Sequence, residues 1–381
     1  MVGAVSIVLA LNVGSSSLKF ALFRCEGAAE TALATGEIEG VGGGDGSLTL
    51  RLGDGDKRTH AQNFSDADTA IDAAISALRT ARLADPNIIG HRFVHGGPAH
   101  TQPVVIDATV LAALHDATPF APLHLPAELA AVAGVRKRFP SLPQVACFDT
   151  AFHAKMPEIA QRFALPHALF DRGVRRYGFH GLSYEYLTSV VGEKGRVVMA
   201  HLGNGASLCA VRNGRSIDTS MGLTPSGGIM MGTRSGDLDP GLMLYLLNNG
   251  YDAAQLEQLV DHDSGLLGIS GISNNMKTLL GSSEPRAVLA VAMFAYQVSK
   301  TIGAFAAALG GIDRLVFSGG IGERAAPVRA QVCAGLAHLG ITLDAQKNAT
   351  GEALISHGDC RVQVIATDEE RIIARHAHAL A

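Results

Sequence analysis

The chain lacks the features that would commit it to nucleic acid, zinc, a membrane or an oxidising compartment. Its 31 Lys and Arg face 35 Asp and Glu, a formal net charge of −4, and only 5% of its residues are aromatic. A nucleic-acid surface needs clustered cations, and no polybasic block occurs, so no such partner is expected. Five cysteines, Cys25, Cys147, Cys209, Cys333 and Cys360, are scattered without a CxxC spacing. That argues for a reduced, cytoplasmic chain and against structural zinc or a disulfide framework. The opening MVGAVSIVLALNVG has no basic start and no small-residue cleavage site, and it reads as a first strand rather than a signal peptide. Every apolar run is cut by a polar residue or glycine well before the roughly 18 residues of a membrane span. No GxxxxGK[ST] occurs, which excludes a P-loop as the nucleotide site.

Glycine, by contrast, is plentiful: 44 residues, many in short clusters beside Ser, Thr, Asn and His. Such clusters serve where backbone turns tightly or approaches a ligand. The remaining composition, 47% hydrophobic and 17% charged over 381 residues, is that of a folded chain long enough for two domains.

Periodicity predicts a strand over 5–12, a polar turn over 13–17 and a returning strand over 18–23. A hairpin or meander is expected over 36–58, followed by an amphipathic helix over 65–83 capped by Ser65 or Asp66. A strand in 87–97 ends in a polar glycine turn. A Pro-rich loop then opens onto a helix after Pro126, and a buried strand over 142–150 ends at Asp149. The stretch RVVMAHLGNGASLCAVRNG, 196–214, repeats the opening pattern of strand, polar residue, glycine turn and strand. Asn12 falls opposite His201 and Gly14 opposite Gly203, with one extra residue in the second turn. This echo implies two similarly built domains facing a ligand cleft. Helices are expected over 253–260, 286–309 and 327–338, and strand, glycine turn and helix over 312–332. The chain closes with a strand and a helix within 362–380, capped by Thr367 or Asp368. The domain boundary is expected between about 140 and 195.

Glycine turns near 14, 203, 232 and 319–322 suit phosphate, which backbone N–H groups and small hydroxyls can surround. Arg92 in GHRFVHGG, Arg234 in MMGTRSGD and His180 in RRYGFHG would make a positive site for phosphoryl charge or for a carboxylate. Asn12, Asp149 and Glu369 are candidate oxygen ligands for a hard cation. Asp149 itself reads equally as a general base, a metal ligand or a helix cap. His95, His124, His153 and His201 show no metal-ligand spacing; His153 is expected to pack or cap. His376 and His378 are expected to face solvent.

Taken together, LNVGSSSLKF, GHRFVHGG, APLHLP, FDTAFH, RRYGFHGLS, HLGNGAS, DTSMGLTPSGG, MGTRSGDLDPG, SGLLGISG, SGGIGE and ATDEE resemble the acetate kinase (acetokinase) family almost end to end. The resemblance implies an α/β, two-domain actin-like ATPase or sugar-kinase-like fold with duplicated ribonuclease H-like domains. It places the N-terminal domain at 1–147, with the terminal helix (about 370–381) packing back on it. A nucleotide-binding and dimerisation domain would span 148–369. It implies reversible, ATP-dependent phosphorylation of acetate to acetyl phosphate with Mg2+ or Mn2+, in a homodimer with no nucleic-acid or membrane partner.

By the same resemblance, Asp149, His180, Arg234 and Arg92 are catalytic. Arg92, Val94, Leu123, Phe179 and Pro225 bind the substrate, and Asn12 and Glu369 serve the metal. Lys19, His201, Leu202, Gly203, Asn204 and Gly205 fall to ATP, as do Asn275, Met276 and Lys277, and Gly319, Gly320, Ile321, Gly322 and Glu323. His124 and Ser15 support the site. The chain departs from the family pattern at Leu125, Leu182, Tyr184, Ser226, Gly227, Asn275, Lys277 and Arg324. Tyr184 stands where the family motif GFHGTSH ends in histidine. Asn275 and Lys277 replace an aspartate and an arginine, which with Arg324 points to altered base preference or to pyrophosphate use. A small carboxylic acid is ionised near neutral pH, with a pKa of roughly 4–5, so Asp149 has no proton to remove and is expected to orient metal, water or an arginine. Propionate or butyrate kinase activity is the near alternative. A sugar- or polyol-type kinase and a non-catalytic binding protein are the remote ones.

Overall fold

A computed structural model of the chain describes residues 5–14 and 16–381. Two compact units divide it, one comprising Met1–Ala151 with Asp368–Ala381 and the other Phe152–Thr367.

The first unit contains β1 (Val5–Val13), β2 (Ser17–Glu26), β3 (Ala29–Glu39), β4 (Ser47–Leu52), β5 (Lys57–Ala61), β6 (Ile88–Phe93), β7 (Val104–Val105) and β8 (Gln144–Phe148). They form one sheet in the order β5-β4-β3-β2-β1-β6-β8-β7. The meander β1–β2–β3 is antiparallel, whereas β6 and β8 run parallel to β1. Alternation in β1 sends Leu9 and Leu11 into a core with Phe20, Leu22, Ile71, Ile75 and Val135. The helix Ala67–Thr80 supplies part of that core and starts at Asp66, whose side chain and that of Thr69 form a reciprocal capping box. The terminal helix Glu369–Leu380 packs on β1, β2, β6 and β8 with Ile372, Ile373, Ala374 and Ala377 buried.

The second unit holds β9 (Arg196–Leu202), β10 (Ala206–Arg212), β11 (Arg215–Thr219), β12 (Arg314–Ser318) and β13 (Arg361–Val364). Their order is β11-β10-β9-β12-β13. Again the first three are antiparallel and the last two parallel to the first. The run β3-β2-β1-β6-β8 in the first sheet thus matches β11-β10-β9-β12-β13 in the second, an antiparallel meander followed by two strands parallel to its first, which is the echo seen in the sequence. Asn12 pairs with Lys19 and His201 with Ser207, so the second turn is shorter by one residue, not longer. The helix Pro285–Leu309 is, among the described residues, long and apolar enough by length and composition to cross a bilayer. It lies instead on β9, β10 and β11 with Phe294, Val298 and Ile302 fully buried.

Four local expectations change. A helix, Ala108–Asp116, precedes the proline-rich loop; its apolar spacing was masked by the prolines that follow. The glycines after β12 are not a separate turn, because Gly319–Arg324 is itself helical. The next helix, Ala326–Cys333, stops short of 338, and a 3-10 turn covers Ala337–Leu339. His376 and His378 are half-buried rather than solvent-facing, and His378 Nδ1 lies 3.0 Å from Ser6 Oγ.

Candidate active site

In the first unit the carboxyl ends of three parallel strands converge, the usual ligand edge of an open α/β sheet. Asn12 lies near the end of β1, Arg92 near the end of β6, and Asp149 directly after β8. The backbone N–H of Asp149 donates to Phe93 O at 2.9 Å, which holds it at that edge. Arg92 Nη2 donates to Asp149 Oδ2 at 2.6 Å, and Arg92 Nη1 stands 3.9 Å from Glu128 Oε1. Glu128 comes from the helix Leu125–Arg138; both its carboxylate oxygens accept the Val94 N–H, at 3.2 Å each. The start of the terminal helix brings Glu369 and Glu370. The Asn12 amide nitrogen donates to both, at 3.2 and 3.3 Å.

This edge is acid-rich. Burial, with the charge of Asp149 close by, pushes Glu369 up to about 7. Burial likewise raises Glu128 to about 8 despite Arg92, and it raises Glu370. Arg92 loses solvation by burial, but Asp149 and Glu128 more than restore its charge. Asp149 Oδ1 and Arg92 Nε are buried with no hydrogen-bond partner among the described residues. No cage of three or more His, Cys, Asp or Glu side chains exists among the described residues. A sparse site of one or two carboxylates with water suffices for Mg2+, and the excess of carboxylates with one unpaired oxygen fits a divalent cation. Lys19, across the hairpin from Asn12, lowers Glu369 and Glu370 again by its charge. Val94 is buried here, and Leu123 and His124 are half-buried. Ser15 lies outside the described residues.

The second unit gathers a different set around the β9–β10 turn, Gly203–Gly205. A Cβ on Gly205 would sit 3.3 Å from His180 Nε2 and 3.7 Å from Arg234 Nη1, so the imidazole and guanidinium tips both face bare backbone. Glycine there keeps the approach open. His180 and His201 stack, with ring centroids 4.4 Å apart. His180 adopts φ 58, ψ 25 at the start of the helix Gly181–Val191. A left-handed non-glycine residue of this kind marks a constrained site. Gly232 N donates to Asn204 O at 2.9 Å, tying the arginine loop to the turn. Arg234 Nη1 also donates to Pro225 O at 3.3 Å. Phe179 is buried, and its carbonyl lies 3.1 Å from His153 Nε2. His153, as expected, packs; its other nitrogen lies 2.8 Å from Ser216 Oγ.

Beside the same turn lies a cavity of about 730 Å3 whose lining includes Gly203, Asn204, Asn275, Lys277, Gly320 and Arg324, with Met276 and Ile321 among its apolar members. That volume suits a nucleoside. Asn275 Oδ1 caps the helix Met276–Leu280 by accepting from Lys277 N and Thr278 N, which leaves its amide N–H groups to present. Gly319, after Leu202 and β12, has φ 73, and a Cβ there would lie 2.7 Å from Leu202 O; only glycine allows strand end and helix start to approach so closely. Arg329, fully buried, donates through Nη1 to Gly322 O (2.8 Å) and Glu323 O (2.9 Å), and so holds the last turn of the glycine helix.

Sequence reasoning missed Glu128, Glu370, Arg329 and Ser207. A charged residue inside an apolar helical stretch was the available signal for Glu128, in LPAELAAVAG, and for Arg329, in APVRAQV. Its weakness is that most such residues reach solvent.

Residues 7–375 match the Acetokinase family. An acetate kinase from Rhodopseudomonas palustris is 46% identical over 395 residues, covering 98% of this chain and 98% of its own length. One from Rhizobium meliloti is 47% identical over 386 residues, with 98% of each covered. Among solved structures, an acetate kinase from Porphyromonas gingivalis superposes with a TM-score of 0.86 at 38% identity, covering 98% of this chain and 99% of that one. A propionate kinase from Francisella tularensis gives 0.91 at 36%, covering 99% and 100%. The fold is thus the two-domain actin-like, sugar-kinase-like one, and the chain belongs to the acetokinase family.

Proposed function

We propose that the chain catalyses reversible, ATP-dependent phosphorylation of acetate to acetyl phosphate. The observation that carries this reading is the retention, in a member of the acetokinase family, of the whole charged set: Arg92, Asp149 and Glu369 at one strand edge, His180 and Arg234 at one glycine turn. A carboxylate oxygen forms a bond to the terminal phosphorus of ATP while the bond from that phosphorus to the bridging oxygen of ADP breaks. No proton moves, because the acceptor arrives ionised, so no general base is required.

Arg92, held by Asp149, offers a fixed guanidinium to the acceptor carboxylate or the transferring group. His180 and Arg234 donate to the phosphoryl oxygens, whose charge spreads during transfer. The Gly203–Gly205 turn and the glycine helix at Gly319–Glu323 meet the ATP phosphates with backbone amides, joined by Lys19, His201 and Leu202. Glu369 and Asp149 would hold Mg2+, and Asn12 would keep the Glu369 and Glu370 carboxylates in place. Mg2+ supplies charge neutralisation on the phosphates when bound. The groups assigned to the substrate methyl are Val94, Leu123, Phe179 and Pro225, with His124 in support. All five cysteines are buried and, among the described residues, none is in a disulfide, which suits a cytoplasmic setting.

A homodimer is part of the proposal. The helix Pro240–Asn248 buries none of its residues, yet it presents Leu242, Leu244, Tyr245 and Leu247, the last three 62%, 63% and 45% exposed. Val288, Leu289 and Tyr296 add to the exposed apolar surface from the helix Pro285–Leu309. A second copy would cover so much apolar surface in a self-complementary contact. Trapping acyl phosphates as hydroxamates, with acetate, propionate and butyrate in parallel, tests the function. Acetate should be fastest with propionate next, and no product from any acid would overturn the reading.

A further inference from the structure

Tyr184 is fully buried, in a core with Leu187, Val197, Met199, Cys209 and Val211, and it lies one helical turn beyond His180, on the same face. Its Oη is 2.5 Å from Ser207 Oγ, and Ser207 Oγ is 2.9 Å from His180 Nδ1. Ser207 is itself fully buried, so water does not compete for these contacts. A phenol has one proton to give. The His201 backbone favours the ionised phenol, as an N–H that can only donate does; a phenol oxygen that accepts from it has its one proton left for Ser207 Oγ, the near hydroxyl. Burial pushes the phenol well above its ordinary range, so the proton stays on. Ser207 Oγ, having accepted that proton, donates its own to His180 Nδ1.

We propose that Tyr184 and Ser207 are positioning residues that lock His180 in the neutral form carrying its proton on Nε2, so that it presents a donor, never a lone pair, to the phosphoryl oxygens. The inference rests on the proposed phosphoryl transfer. Nε2 is the nitrogen beside Gly205 and the Arg234 guanidinium, the direction from which an anionic oxygen is met. An imidazole lone pair there would repel that oxygen. Histidine, which the family motif carries where this chain has Tyr184, holds a donor and an acceptor and can reverse the chain of protons. A tyrosine between an N–H donor and a hydroxyl cannot. The tautomer is thereby set by the core rather than by the substrate.

The test is a long-range 1H–15N spectrum of the full chain with labelled histidine, His180 being assigned by its loss in H180Q. The wild type should show a single Nε2–H pattern for His180 without substrate. Y184F, which keeps the ring and the packing, and S207A should each show a mixture of tautomers. Both should lose about tenfold to a hundredfold in kcat while KM for acetate and ATP stays within about twofold. An Nδ1–H pattern in the wild type overturns the inference, as does an unchanged pattern and kcat in both variants. The spectrum needs no turnover, so a wild type that forms no hydroxamate would sink the proposed function and leave the tautomer assignment standing.

Discussion

Replacing Glu369 with glutamine should stabilise the metal-free protein while disabling it. The carboxyl of Glu369 is raised from 4.5 to about 7, first by burial and then by the charge of Asp149. The sign follows from linkage: a carboxyl whose folded value lies above its unfolded one costs nothing below about 4.5, where both states are protonated. The cost grows as pH rises and is complete above about 7. At about 1.4 kcal/mol per pH unit, the full penalty is about 3 kcal/mol. Part of the Glu369 surface is accessible, and water screens some of that, so about 1–3 kcal/mol is the working range. Glutamine keeps an acceptor for the Asn12 amide and carries no charge. Melting of E369Q in chelator at pH 8 should therefore come roughly 3–10 °C above wild type, at about 2–4 °C per kcal/mol for a unit of this size. At pH 5.5 the gap should fall to less than half. Millimolar Mg2+ should raise the wild-type transition at pH 8 by mass action and leave E369Q unmoved. An E369Q that melts at or below wild type at pH 8, or a gap that does not shrink in acid, would refute the reasoning.

Alanine at Arg234 should cost about a hundredfold to a thousandfold in kcat; a rate within about threefold of wild type would remove it from the transfer step. D149N should lose activity at every pH with metal dependence disturbed, and recovery at high pH alone would restore the general-base reading. The cavity rim is rich in donors, with Asn275, Lys277 and Arg324, which favours the O6 and N7 acceptors of guanine over the amino group of adenine. GTP should therefore support initial rates within about threefold of ATP, and pyrophosphate, which cannot fill the cavity, should not; ATP acting alone would contradict this. Y245D should yield a folded monomer by sedimentation, and an unchanged oligomer would move the dimer contact elsewhere.

The sequence alone determined much of this protein. Strand alternation, capping residues such as Asp66 and Asp368, and glycine clusters are local signals, and local geometry is what they encode. The ordered motifs carried the family, because many short matches in register are specific where one is not. Internal similarity between the two hairpins was visible too, although its turn length was misjudged because only strand pairing shows which residues face each other. Tertiary structure decided the partners. Arg92 reads as a bare cation in GHRFVHGG, but 57 positions on it finds Asp149. Glu128 and Glu370 acquire their raised values from burial first, with the charges of Asp149 and Asp368 adding to it in turn. Arg329 and the Tyr184–Ser207–His180 chain depend on distances across separate elements. Those distances, and the burial that makes each contact count, are properties of packing, and no stretch of the chain contains them by itself.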